Sequence, residues 1–247
     1  MTTPAGEPAL VLDGIVAGYG GGDVLRGVTF TVPKDSITCV VGPNGAGKST
    51  LMKVISGLLR PRLGTVTLRG DKINGKSPRQ ILQMGVVQVP QNHSLFKDMT
   101  VRENIELGGY ILSDRVKVAS RLDAVFDLFP QAREWADKRA GELSGGQQRL
   151  VEFARALMLD PALILLDEPS MGLSPMVLKS VFDAARQMNS NGATILLVEQ
   201  NARAGLKLSH HGVVMENGTV RLTGTGREVL EHPEIGELYL GGAVKSA

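Results

Sequence analysis

Short runs of β-branched and aliphatic residues alternate along the chain with stretches whose apolar positions recur every three or four residues, the spacings of strands and amphipathic helices. Strands are expected over residues 10–12 and 28–32, flanking a glycine-rich turn at 18–22, and over 37–41, where Ile-Thr-Cys-Val-Val is a nearly unbroken apolar run. A helix is predicted over 51–59, with Leu51, Val54, Ile55, Leu58 and Leu59 on one side and Arg60-Pro61 as its stop. Residues 65–69 alternate as a strand, 70–75 turn, and 85–89 form a β-branched run ending at Pro90. From about 98 to 140 the chain becomes charged, helical in period and poor in strands, with helices expected over 101–110 and 115–129, the second stopped by Pro130. There Leu122, Val125, Phe126 and Phe129 form a stripe that reads as core. A helix over 148–159 precedes the buried run 163–166. Ser174-Pro175 supplies an N-cap and N1 proline for a helix to about 189, and another buried strand follows over 194–198. Asn217-Gly218 between the runs 213–216 and 219–222 marks a hairpin. Residues 227–240 read as a short helix without chemistry.

Composition narrows this picture. The 247 residues, 43% hydrophobic, suffice for one large domain, and the formal net charge of +2, spread without a basic run, gives no general attraction to nucleic acid or an anionic membrane. Cys39 is the single cysteine, so no internal disulfide can form and a reducing compartment is expected. Residues 1–8 lack the basic cluster and apolar core of a secretion signal, and no apolar run approaches the roughly 18 to 20 residues that span a bilayer.

The chemistry concentrates after the apolar runs. Gly42-Pro43-Asn44-Gly45-Ala46-Gly47-Lys48-Ser49-Thr50 follows the strand 37–41 and opens a helix, the order in which backbone N–H groups and a helix N-terminus cup phosphates. Lys48 would reach the β- and γ-phosphates and Ser49 would offer a hard oxygen to Mg²⁺, with Thr50 on the same first turn. Tyr19, upstream in a glycine-rich turn, leaves open adenine stacking or partly buried packing. Gln91 stands after the strand 85–89, where its carboxamide could approach a metal or an attacking water, or stay solvated. Leu143-Ser144-Gly145-Gly146-Gln147 opens a helix whose N–H groups can face an anion, and alone could be no more than a capped start. The run 163–166 ends in Asp167-Glu168-Pro169, placing two carboxylates where open α/β sheets carry chemistry: Asp167 to orient Mg²⁺ and Glu168 to polarise the attacking water.

In this order, these motifs resemble the nucleotide-binding subunit of ATP-binding cassette (ABC) transporters over nearly the whole chain. The resemblance implies an α/β fold: a P-loop NTPase core with a mixed, largely parallel sheet, an antiparallel β subdomain and an inserted α-helical subdomain. Residues 1–247 would form one ABC ATPase domain, with 98–140 as the insertion, continuing into the signature helix to about 159. It further implies that Tyr19 stacks on adenine, Gln91 senses Mg²⁺ and water, and the insertion grips a permease. Ser144, Gly145, Gly146 and Gln147 would contact nucleotide held by the opposite subunit of a head-to-tail dimer.

Within the family, 168–175 (Glu-Pro-Ser-Met-Gly-Leu-Ser-Pro), 197–202 (Leu-Val-Glu-Gln-Asn-Ala) and 99–104 (Met-Thr-Val-Arg-Glu-Asn) before Gly108-Gly109 look like the ATPases of branched-chain amino acid importers. Urea or amide importers and lipopolysaccharide exporters share parts of them. Such a subunit would lie on the cytoplasmic face of the membrane with a substrate-binding protein in the intact importer, and would use ATP and Mg²⁺ but no nucleic acid. A soluble ABC ATPase that remodels protein or nucleic acid is disfavoured by the single cassette, the lack of a long coiled coil and the lack of a basic patch. Two positions depart from the family pattern: Ser174 replaces an aspartate, and Gln200 replaces the switch histidine. An amide can donate a hydrogen bond to the γ-phosphate but cannot become a cation. The expected partner is therefore a non-identical second ATPase subunit that supplies a histidine, with a homodimer as the alternative.

Overall fold

The computed structural model describes residues 8–235, so the expectations for 1–7 and for the tail beyond 235 lie outside the described residues. The chain opens with an antiparallel hairpin of β1 (Pro8–Tyr19) and β2 (Gly22–Pro33), each 12 residues long. Both strands outrun the short runs expected at 10–12 and 28–32. The ladder carries Asp13-Gly14 as a bulge between Leu12 and Ile15, with Gly14 at φ 60°, and Ile15, Ala17 and Leu25 remain buried beyond it.

After β3 (Ile37–Val41) and α1 (Lys48–Ile55) the chain returns to this first sheet as β4 (Leu63–Leu68) and β5 (Asp71–Lys72), giving the order β2-β1-β4-β5. Helix α1 stops four residues short of the expected 59. Gly57 takes a left-handed φ of 75°, and Leu58 swings out to 63% exposure instead of joining Leu51, Val54 and Ile55 inside. Helix α2 (Pro78–Gln83), absent from the sequence reading, carries its own start signal, a Ser77/Gln80 capping box with Pro78 at N1.

β6 (Val86–Val89) leads into the helical region. The expected helix 101–110 is shorter, α3 (Val101–Glu106), and tightens into a 3₁₀ turn at Leu107–Gly109. α4 (Arg115–Leu128) ends where expected, but Pro130 also begins a new helix, α5 (Pro130–Glu134), as its first residue. α6 (Gly145–Ala156) starts earlier than 148 because its first turn includes both glycines, capped by Ser144.

The rest is β7 (Leu163–Asp167), α7 (Pro175–Ser190), β8 (Ile195–Glu199), α8 (Ala202–Leu208), β9 (His211–Glu216), β10 (Thr219–Thr225) and α9 (Gly226–Glu231). Ser174 holds the N-cap position of α7, but its side chain makes no capping hydrogen bond. Asn217 and Gly218, both at positive φ, turn β9 into β10.

The second sheet runs β10-β9-β3-β8-β7-β6, parallel except at the β9–β10 hairpin. Its central strands are buried on both faces. Ile164, Leu166, Ile195 and Leu197 face a core shared with α3, α4, α6 and α7, while Leu163, Leu165, Leu196 and Val198 face a core shared with α1 and the first sheet. That double burial is why these strands read as continuous apolar runs rather than alternating ones. Because β3, β8, β7 and β6 are parallel, their carboxyl ends share one edge.

Candidate active site

At that edge the loop after β3 is built around glycines that side chains could not replace. A Cβ on Gly42 would lie 2.3 Å from the Met215 carbonyl oxygen, and one on Gly47, at φ 100°, would lie 2.8 Å from Leu25 Cδ2. The β9–β10 turn braces the loop from outside, with Gly218 N–H donating to the Ala46 carbonyl at 3.1 Å. Lys48 is buried, and its Nζ donates to the carbonyls of Gly42 at 2.7 Å and Pro43 at 3.1 Å. Burial lowers its pKa, opposed by the Glu168, Asp167 and Glu199 carboxylates. Ser49 is exposed beside it and Thr50 buried.

Beyond β7, Glu168 adopts a left-handed φ of 44°, an uncommon backbone for a side chain of this size, and its N–H donates to the Val198 carbonyl at 2.9 Å. Its Oε1 lies 3.8 Å from Lys48 Nζ and its Oε2 accepts from Gln91 Nε2 at 3.0 Å. Lys48, Gln91 and Glu168, drawn from three segments, thus form one contact group. The Gln91 amide also donates to Met171 Sδ at 2.9 Å. Burial, then the charge of Glu168, raises the pKa of Asp167.

The remaining candidates sit apart from this group. Ser144 and Gln147 exchange hydrogen bonds with each other in a capping box at the start of α6. Gly146 lets α6 press on Val177, which a Cβ there would meet at 2.1 Å, and Gly145 faces His93 Nε2. Tyr19 is half-exposed, with Lys53 Nζ 5.3 Å from its ring centroid. Gln200 is exposed just past β8. His210 is no substitute for it, since its Nδ1 accepts the Ile37 N–H at 3.0 Å.

Sequence reasoning missed the charges beneath the site. Arg149 of α6 donates to the carbonyls of Pro90 at 2.8 Å and Gln91 at 2.7 Å and pairs with Glu152 at 2.8 Å. Glu152 accepts the Ser94 N–H at 2.5 Å. The available signal was two opposite charges at i and i+3 in an otherwise apolar stretch of helix.

A glycine-built loop after β3, with Asp167 and Glu168 two strands away at the end of β7 on the same edge, has the layout of a nucleotide-hydrolysing cassette. The ABC transporter family model matches residues 25–171, and the chain belongs to that family as an ATP-binding, ATP-hydrolysing subunit. It is 37% identical over 233 residues to the high-affinity branched-chain amino acid transport ATP-binding protein BraG of Pseudomonas aeruginosa, covering 94% of this chain and 100% of the relative. It is 38% identical over 226 residues to the probable branched-chain amino acid transport ATP-binding protein LivF of Archaeoglobus fulgidus, covering 91% and 95%. Among solved structures, an ABC-transporter ATP-binding cassette in its ADP conformation superposes with a TM-score of 0.85 at 32% identity, covering 95% of this chain and 99% of that one. The fold is the α/β cassette that the sequence reading expected, with its antiparallel and largely parallel sheets.

Proposed function

We propose that this chain drives import of branched-chain amino acids through separate permease subunits, at the cytoplasmic face of the membrane and with a substrate-binding protein in the intact importer. The observation that carries the reading is the Lys48–Glu168–Gln91 contact group at the carboxyl edge of the sheet. The kind of cargo is supported by relatives that match nearly end to end. No helix among the described residues is long and apolar enough to cross a membrane.

In this reading Gly42, Pro43, Asn44, Gly45, Ala46, Gly47, Lys48, Ser49 and Thr50 hold the ATP phosphates, and Tyr19 stacks on adenine. Glu168 takes the proton of the attacking water. Ser49, Asp167 and Gln91 would hold Mg²⁺, an ion that takes oxygen ligands. They fit, because Asp167 is a partly buried carboxylate crowded by Glu168, which a divalent cation would stabilise. When bound, that ion neutralises charge on the phosphates. Ser144, Gly145, Gly146 and Gln147 meet nucleotide held by a second ATPase subunit, a non-identical one that supplies the histidine Gln200 lacks. The permease surface is a largely apolar groove of about 390 Å³, lined by Leu82, Val89, Phe96, Leu107, Tyr110 and Arg155, in which Phe96 and Tyr110 are exposed.

Uptake of labelled leucine in cells lacking the native gene tests the reading. Restoration by wild type and not by Glu168→Gln, at matched expression, is expected. An active ATPase in a permease complex that restores no uptake overturns the substrate assignment and leaves the transporter assignment standing.

A further inference from the structure

Glu199 is a buried carboxylate beside the contact group to which the roles above assign no part. It closes β8 immediately before Gln200 and is 1% exposed. Its Oε1 accepts the Ser170 N–H at 3.1 Å and its Oε2 accepts the Ser170 hydroxyl at 2.6 Å. Ser170 stands two residues after Glu168, so a single carboxylate grips both the main chain and the side chain of the loop that leaves it. Helix α8 closes over Glu199 at Gly205, where a Cβ would come within 3.1 Å of Glu199 Cβ and 2.6 Å of Cys39 Sγ.

The backbone explains why such a grip matters. Glu168 is held at φ 44°, and a strained residue persists only where its surroundings over-determine it. Two contacts bracket it, both to the end of β8: its own N–H to the Val198 carbonyl on one side, and Ser170 to Glu199 on the other. A carboxyl buried here is costly, since burial raises its pKa to about 7 despite the Ser170 hydrogen bonds. An apolar residue would fill the place without that cost but could not hold Ser170.

We propose that Glu199 is a positioning residue for ATP hydrolysis: acting through Ser170, it fixes the carboxylate of Glu168 relative to the strand end that carries Gln200. The proposal rests on Glu168 being the general base.

The test is steady-state ATPase on the full chain in its permease complex, with Kd for a fluorescent ATP analogue measured separately. Glu199→Gln and Ser170→Ala should each lower kcat on the order of 10- to 100-fold, the loss that follows from a misplaced catalytic group, with Kd held within about twofold. The double variant should be no slower than the slower single variant, because both break one linkage. Ser170→Thr, which keeps the hydroxyl, should recover most of the rate that Ser170→Ala loses. Wild-type kcat in Glu199→Gln, multiplicative losses in the double variant, or a Ser170→Thr as slow as Ser170→Ala would each overturn the proposal. If Glu199→Gln fails to fold, the Ser170 pair decides alone. Glu168→Gln separates the two layers: full activity there removes the general base and this proposal with it, whereas an inactive Glu168→Gln beside a fully active Glu199→Gln removes this proposal only.

Discussion

Replacing Arg149 with methionine isolates what the buried ion pair does. Arg149 is 2% exposed and Glu152 1%, and the guanidinium holds the carbonyls of Pro90 and Gln91 while facing the Glu152 carboxylate. Arg149→Met fills similar volume but takes the paired guanidinium from the buried Glu152, which keeps the Ser94 N–H and the more distant His93, a change that costs up to about 3–5 kcal/mol. For a domain of this size that corresponds to a fall in Tm of roughly 6–20 °C. Removing both charges, as Arg149→Met with Glu152→Leu, takes away the uncompensated carboxylate, so most of the lost stability returns. Activity should not return with it. The carbonyls of Pro90 and Gln91 and the N–H of Ser94 then lose these anchors on α6, and Arg155, which donates to the Ser94 carbonyl at 2.9 Å, is left to hold the loop that presents Gln91 to Glu168. Urea unfolding followed by circular dichroism, alongside ATPase assays, reads both quantities. A single variant within about 1 kcal/mol of wild type refutes the energetic argument. A double variant that regains full ATPase refutes the clamp.

Three further outcomes follow from the same geometry. Glu199 has its pKa raised by burial from 4.5 to about 7, so the folded state binds its proton more tightly than the unfolded state. Its contribution to stability is complete below about pH 4.5, declines as pH rises to about 7 and is then flat, a loss of about 3 kcal/mol that Glu199→Gln should lack. Urea midpoints measured from pH 4.5 to 8 check this, and parallel pH profiles for the two proteins would contradict it. Tyr19→Ala should weaken ATP binding by a factor of roughly 5 to 100, the worth of one aromatic stack, while Tyr19→Phe keeps it. Equal Kd values for Tyr19→Ala and wild type would remove Tyr19 from the adenine site. A homodimer of this chain should hydrolyse ATP slowly and Gln200→Ala more slowly still; brisk turnover with Gln200→Ala no slower would count against a histidine-supplying partner.

What could be read from the sequence was local. The phosphate loop occupies nine consecutive residues after one strand, and the Asp167-Glu168 pair directly ends an apolar run, so spacing alone marks both. The parts that escaped reading join distant positions: Arg149 reaches Gln91 across 58 residues and Ser170 reaches Glu199 across 29. A charge on an amphipathic helix ordinarily reads as a solvated face, and the i, i+3 pairing of Arg149 and Glu152 in α6 does not say which loop they turn under. Local errors had local causes. The first strand reads too short because it continues through a bulge at Asp13-Gly14, and Leu58 mimicked core because Gly57 breaks the helix just before it.

The order of the strands supplies what the spacing could not. β7 lies between β8 and β6, so the loop that follows it has neighbours on both flanks. Gln91, after β6, reaches Glu168 from one side; Glu199, at the end of β8, reaches Ser170 from the other. The phosphate loop, after β3, lies one strand further out and still brings Lys48 to within 3.8 Å of the same carboxylate. A residue at a strained backbone angle, approached from both neighbouring strand ends, can move only if one of those neighbours moves with it. Any change that rotates the Gln91 loop against β8 therefore registers at Glu168.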